Sequence, residues 1–172
     1  MTSTVPHFAP TARLRAASLA LALPVTLGFS LGGCGTRLIP NTDVPDTQAN
    51  REAVEFVEEY RHAVESHNPA SILRLVSRDY YDDNGTPNSE DDVDYDRLRE
   101  RLGRWTTDVL DVRYEMRYRR VHIYPERVFV DVTFTGSFKV RTAEGERWER
   151  RLADNRIELV RENGELRIVS GL

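Results

Sequence analysis

Ala53, Phe56, Val57, Tyr60 and Val64 recur three or four residues apart, with Glu52, Glu55, Glu58, Glu59 and Arg61 between them. That spacing puts the apolar side chains on one stripe of a helix running from about Gln48 to Ser66. Thr47 or Asp46 can accept from its first free amides. Asn68-Pro69 opens a second helix, with Asn68 as cap and Pro69 at the first position, where a missing N–H costs nothing. Ile72, Leu73 and Val76 form its buried face, and it ends near Ser77. From Asp82 to Asp96 the chain is acidic and has no apolar period, which predicts a loop. Asp94 then caps a third helix. Tyr95, Leu98, Leu102 and Trp105 share one side of it, and Arg97, Arg99, Arg101 and Arg104 lie mostly elsewhere on its surface.

After Thr107 the period shortens from 3.6 to 2, the repeat of a half-buried strand. Leu110, Val112, Tyr114, Met116 and Tyr118 alternate with Asp111, Arg113, Glu115 and Arg117. The phase slips at Arg119-Arg120 and resumes with Val121 and Ile123, which predicts a β-bulge. Tyr124-Pro125-Glu126-Arg127 is a turn. Val128, Val130, Val132, Phe134, Phe138 and Val140 make the most regular strand, interrupted only by Gly136 at a bend. Ala143-Glu144-Gly145-Glu146 closes a hairpin. Trp148, Leu152, Ile157 and Leu159 mark a third strand, from about Arg147 to Arg161. Glu162-Asn163-Gly164 is a hairpin turn of the type that demands positive φ. Glu165 to Ser170 is the last strand.

Helices followed by a four-stranded antiparallel meander make an α+β domain, with the helices packed on a strongly curved sheet. The helix pair ending in Ser77-Arg78-Asp79-Tyr80-Tyr81, the long strands and the closing Glu162-Asn163-Gly164-Glu165-Leu166-Arg167-Ile168-Val169 resemble the nuclear-transport-factor-2-like (NTF2-like) superfamily. That group includes SnoaL-like polyketide cyclases, ketosteroid isomerase and scytalone dehydratase. Leu166 stands where relatives often carry tryptophan. The resemblance covers residues 48–172 and implies a cone-like, cystatin-like roll. It implies a conical pocket, or a dimer platform, beneath the sheet.

The N-terminus has a different pattern. Arg13 and Arg15 precede a mostly apolar stretch from Ala16 to Phe29, the layout of a secretory signal. The stretch is short for a membrane span, which takes roughly 20 apolar residues, and Pro24 would kink one. Leu31-Gly32-Gly33-Cys34 follows, and Cys34 is the only cysteine. This resembles a bacterial lipoprotein signal over residues 1–33. The resemblance implies acylation of Cys34 and a durable membrane anchor, since each buried CH₂ contributes about 0.8 kcal/mol. Gly35 is not the aspartate linked to inner-membrane retention in enteric bacteria. The expected location is the cell envelope, on the periplasmic face of the outer membrane if the source is Gram-negative. Residues 34–47, polar and with Pro40 and Pro45, are expected to be a lipidated tether that stands the domain off the membrane.

Composition then narrows the function classes. Without residues 1–34 the chain carries a formal charge of −6. Bulk attraction to nucleic acid is thereby disfavoured. A single cysteine excludes an internal disulfide. There is no nucleophile elbow, Walker motif or dinucleotide fingerprint. An EF-hand alignment on Gly85 fails at its first and twelfth positions, Tyr80 and Asp91. The histidines have no zinc-binding spacing. No metal or cofactor is expected.

Polar residues predicted to face the pocket are the candidate chemistry: Tyr114, Tyr118, His122 and Asp154. An aspartate with a tyrosine or histidine in an apolar cavity could transfer protons, because burial raises a carboxylate pKa. The plainer reading, which the sequence favours, makes the tyrosines core or rim residues. It puts His122 near a strand end and Asp154 at a bulge or in solvent. The leading functional expectation is therefore an anchored, non-catalytic module for a small apolar ligand or an envelope protein partner, with a homodimer also compatible. The alternatives are a SnoaL-like lyase, isomerase or hydrolase, and a structural part of an envelope assembly.

Overall fold

A computed structural model describes residues 36–172. The signal segment and Cys34 lie outside the described residues. Helix α1 spans Gln48–Glu65, and the Thr47 hydroxyl accepts from the Asn50 amide at 3.2 Å. Helix α2 spans Pro69–Leu75, with the Asn68 side chain accepting from the Ser71 amide at 3.1 Å. Helix α3 spans Tyr95–Asp108, and Asp94 accepts from the Arg97 amide at 2.8 Å. Each cap satisfies an amide that has no partner within its helix.

The acidic segment is not a bare loop. Tyr81–Asp82 (β1) pairs antiparallel with Val93–Asp94 (β2), and the acidic residues between them turn the chain. Four long strands follow: β3 (Val109–Ile123), β4 (Val128–Thr142), β5 (Gly145–Glu162) and β6 (Glu165–Ser170). They form one antiparallel sheet in chain order. The β3–β4 register slips between Tyr118 and Arg120, where the phase of the sequence predicts a bulge. Asn163 and Gly164 both have positive φ, 52° and 88°, as a tight hairpin turn requires. Val130, Val132, Ile157, Leu159 and Ile168 are fully buried between sheet and helices. The result is the α+β architecture that the periodicity predicts.

The expected tether is corrected by its contacts. Leu38 bridges Pro45, and the Ile39 amide donates to the Val44 carbonyl at 2.9 Å. The Thr42 hydroxyl donates to the Ile39 carbonyl and accepts from the Val44 amide, closing the turn. Val44 is 0 % exposed. The Asn50 side chain donates to the Pro45 carbonyl at 2.8 Å. This arm also covers part of the free edge of β3. The Asp43 amide donates to the Tyr118 carbonyl at 3.0 Å, and its carboxylate meets Arg117 and Arg119. An uncovered edge would invite pairing with another chain. The arm has no apolar period because two separated side chains, buried Val44 and partly buried Ile39, and a few hydrogen bonds hold it.

Several surface carboxylates are held low by arginines. The causes are Arg117 and Arg119 at Asp43, Arg161 at Glu52, and Arg156 then His122 at Asp131. Their folded pKa values lie below the unfolded ones. The stability they add is therefore complete above about pH 4, the unfolded range, and is lost as pH falls through the folded values. Asp131→Asn should flatten the acid limb of a stability-versus-pH curve. Its cost at neutral pH should be at most about 1 kcal/mol, because the pair is partly solvated.

Candidate functional site

Between the sheet and the helices lies a cavity of about 440 Å³, open to solvent on one side. Helix α1 supplies Tyr60 and Val64 to it. Helix α3 supplies Leu98, Arg101, Leu102 and Trp105, and the sheet supplies Tyr114, Phe134, Phe138 and Arg151. The helix stripe and the strand parity place these side chains together, because both turn their apolar side inward.

Gly136 shapes the sheet side. A Cβ built there would lie 2.5 Å from the Phe138 ring and 3.4 Å from the Tyr114 ring. The missing side chain lets Phe138 fold over the strand. Across the sheet Gly136 faces Arg151, and on its other side it faces Tyr114. The Arg151 guanidinium lies 5.9 Å from the Phe134 ring centroid. Tyr114 packs on Phe134 with ring centroids 5.4 Å apart. Trp105 is backed by His67, edge to face at 4.3 Å.

The Tyr60 and Tyr114 hydroxyls are neighbours in the cavity. Burial, then its Tyr114 neighbour, pushes the Tyr60 phenol well above its ordinary value. Burial raises Tyr114 to about 12. Both are neutral hydrogen-bonding groups at physiological pH and poor bases. Among the described residues, no carboxylate or imidazole side chain lines the cavity.

The four predicted pocket residues separate. Tyr114 lies in the cavity. Tyr118 is buried beside it under α1, its hydroxyl donating to Glu58 at 2.6 Å. Burial and then Glu58 push its phenol up. His122 and Asp154 are corrected to the outer face of the sheet. His122 Nε2 sits 3.4 Å from Asp131, and exposed Asp154 accepts from the Thr133 hydroxyl at 2.6 Å. The bulge explains His122: the slip after Tyr118 turns Val121 inward and His122 outward. Asp154 follows from the parity of Ile157 and Leu159, which turns residues 155, 153 and 151 inward and 154 outward. Leu152 and Trp148 are thus on the outer face, 67 % and 46 % exposed. Arg113 stacks 4.9 Å over the Trp148 ring. Arg101 and Arg151 are the site residues that sequence reasoning misses. Counting by twos from Ile157 would have found Arg151.

Outside the cavity, among the described residues, no three His, Cys, Asp or Glu side chains converge as a metal site. No described helix is long and apolar enough to cross a membrane.

No protein-family model matches the sequence, and no curated protein matches it. Solved structures do match in shape. A candidate scytalone dehydratase from Novosphingobium aromaticivorans superimposes with a TM-score of 0.61 at 9 % identity, covering 72 % of this chain and 80 % of that one. A candidate dehydratase of the NTF2-like family from Streptomyces avermitilis gives a TM-score of 0.56 at 9 % identity, over 71 % of this chain and 92 % of that one. The fold is NTF2-like. A hexachlorocyclohexane dehydrochlorinase (LinA, type 2) shares it, with a TM-score of 0.57 at 9 % identity over 72 % and 82 % of the two chains. Such identities speak for the NTF2-like fold alone, and the chemistry of this chain has to be read from its own cavity.

Proposed function

We propose that this domain binds a small, largely apolar molecule in the cavity beneath β3 and β4 without transforming it, and that Cys34 tethers it to a cell-envelope membrane. One observation carries the binding reading. The cavity is of small-molecule size, has aromatic and aliphatic walls, and offers hydroxyl groups without an acid–base pair. The proton-transfer scheme built on Asp154 fails on geometry, since Asp154 faces away on the other side of the sheet. The dehydratase and dehydrochlorinase neighbours support a SnoaL-like enzyme as the second reading. Against it stand the raised tyrosines, which would be a weak base pair.

The anchor reading rests on Leu31-Gly32-Gly33-Cys34 in the sequence. With Leu38 already held against Pro45, only three residues separate it from Cys34. Fully extended they would span no more than about 14 Å, counting the bonds at both ends. The domain would thus be held close to the membrane rather than on a long stalk.

Trp105 lines the cavity and Trp148 does not, so a Trp148→Phe background isolates the reporting fluorophore. Titration of the full chain with neutral 1-naphthamide should change Trp105 emission saturably. Val64→Phe, which places a ring in the cavity, should weaken that binding by at least about tenfold (1.4 kcal/mol). Equal binding by the Val64→Phe variant would remove the cavity from consideration as the site.

A further inference from the structure

We infer that the ligand of this cavity carries an anionic group, a carboxylate or its equivalent, on an aromatic or apolar body, with the anion held at the rim by Arg101 and Arg151. The inference rests on the cavity-binding reading and adds the chemical class of the ligand.

Most arginines of the sheet and of α1 have carboxylate partners, for example Arg117 and Arg119 with Asp43, Arg156 with Asp131 and Arg161 with Glu52. Among the described residues, Arg101 and Arg151 have no carboxylate within 4.0 Å, yet both line the cavity. They come from different elements, α3 and β5, and share the cavity lining only through the fold. Each is exposed to solvent. Arg151 lies over the Phe134 ring, which orients the planar group and leaves its N–H edges free. The charge of Arg151 is felt at Tyr114 in the cavity.

The walls define the rest of the ligand. Phe134, Phe138, Trp105 and Tyr114 present ring faces and edges, which favour a flat body. A volume of about 440 Å³ corresponds to roughly fifteen water-sized groups, enough for one or two fused rings and too little for a folded peptide. The Tyr60–Tyr114 pair offers hydrogen bonds deeper in. A flat acid can bury its body and keep its carboxylate at the rim, where two guanidinium groups replace the lost water. A neutral analogue gains the burial alone. Charge-assisted hydrogen bonds make the difference about tenfold to a hundredfold in affinity.

The test compares 1-naphthoate with its near-isosteric neutral analogue, 1-naphthamide, on the full chain at low salt, by calorimetry and by Trp105 emission in the Trp148→Phe background. Naphthoate should bind at least about tenfold tighter. The paired substitution Arg101→Gln and Arg151→Gln should abolish that preference and leave naphthamide affinity within about threefold. Both positions are exposed, so the variant should fold; its melting curve checks this. Arg151→Lys should retain part of the preference. Equal affinity for the two probes would overturn the anionic class and leave the cavity reading standing. Binding of neither would overturn both. A naphthoate preference that survives the paired substitution, or persists in Val64→Phe, would place anion binding elsewhere and also overturn the inference.

Discussion

Leu159→Ala should destabilise the domain by about 3–5 kcal/mol, the upper part of the range for burying a cavity in a core. Leu159 is fully buried on β5, where its register partners are Val128 on β4 and Ile168 on β6. It therefore packs where three strands meet. Backbone hydrogen bonds hold both neighbours in place, so little can relax into the space left by the lost atoms. Urea denaturation should show the midpoint falling with the slope unchanged, and the melting temperature should drop by roughly 10–20 °C. A loss under 1 kcal/mol would mean that the β4–β6 region is looser than its packing indicates. The site is distant from the cavity rim, so ligand affinity of the folded fraction should stay the same.

Val44→Asp tests the arm. An unpaired carboxylate kept at that fully buried position would cost several kcal/mol. The chain has a cheaper course, which is to release the arm. Release forfeits the burial of Val44, about 1.5–3 kcal/mol, and the surface contacts of Asp43 with Arg117 and Arg119. The expected loss is therefore about 2–4 kcal/mol, set by the cost of undocking. Hydrogen exchange should show the amides of Ile39, Asp43 and Val44 losing protection while those of β4 and β5 keep theirs. Asp43→Asn, which removes only solvated ion pairs, should leave stability at neutral pH nearly unchanged. Retained protection at Ile39 and Val44 in Val44→Asp would show that the arm does not depend on the buried valine.

The arm also separates two kinds of information in the sequence. Helices announce themselves by repetition, and the caps at Thr47, Asn68 and Asp94 sit next to the repeats that they terminate. The arm uses Val44, partly buried Ile39, one turn and a strand edge supplied by residues some seventy positions away. No local pattern can report that. The β1–β2 pair was illegible for a similar reason: two residues on each side have no period.

On the long strands the alternation held wherever one side was uniformly apolar. It failed on β5, where Trp148 and Leu152 lie on the outer face and Arg151 on the inner one. Hydropathy assigns apolar residues to the core, but a curved sheet buries only part of its length. Beyond that part, an arginine over a phenylalanine and a tryptophan under an arginine are both stable arrangements. The bulge after Tyr118 turned His122 outward, and the parity of Ile157 turned Asp154 outward and Arg151 inward.

The sequence by itself determined the α+β order, the helix caps, the bulge after Tyr118 and the hairpin at Asn163-Gly164, because each depends on neighbours within a few residues. It also supplied the anchor reading at Cys34. Only the tertiary structure decided which polar groups share the cavity, that the supposed tether is partly a docked arm, and that two arginines without carboxylate partners stand at the rim. Those outcomes depend on strand register and sheet curvature, which bring together side chains that no local spacing relates.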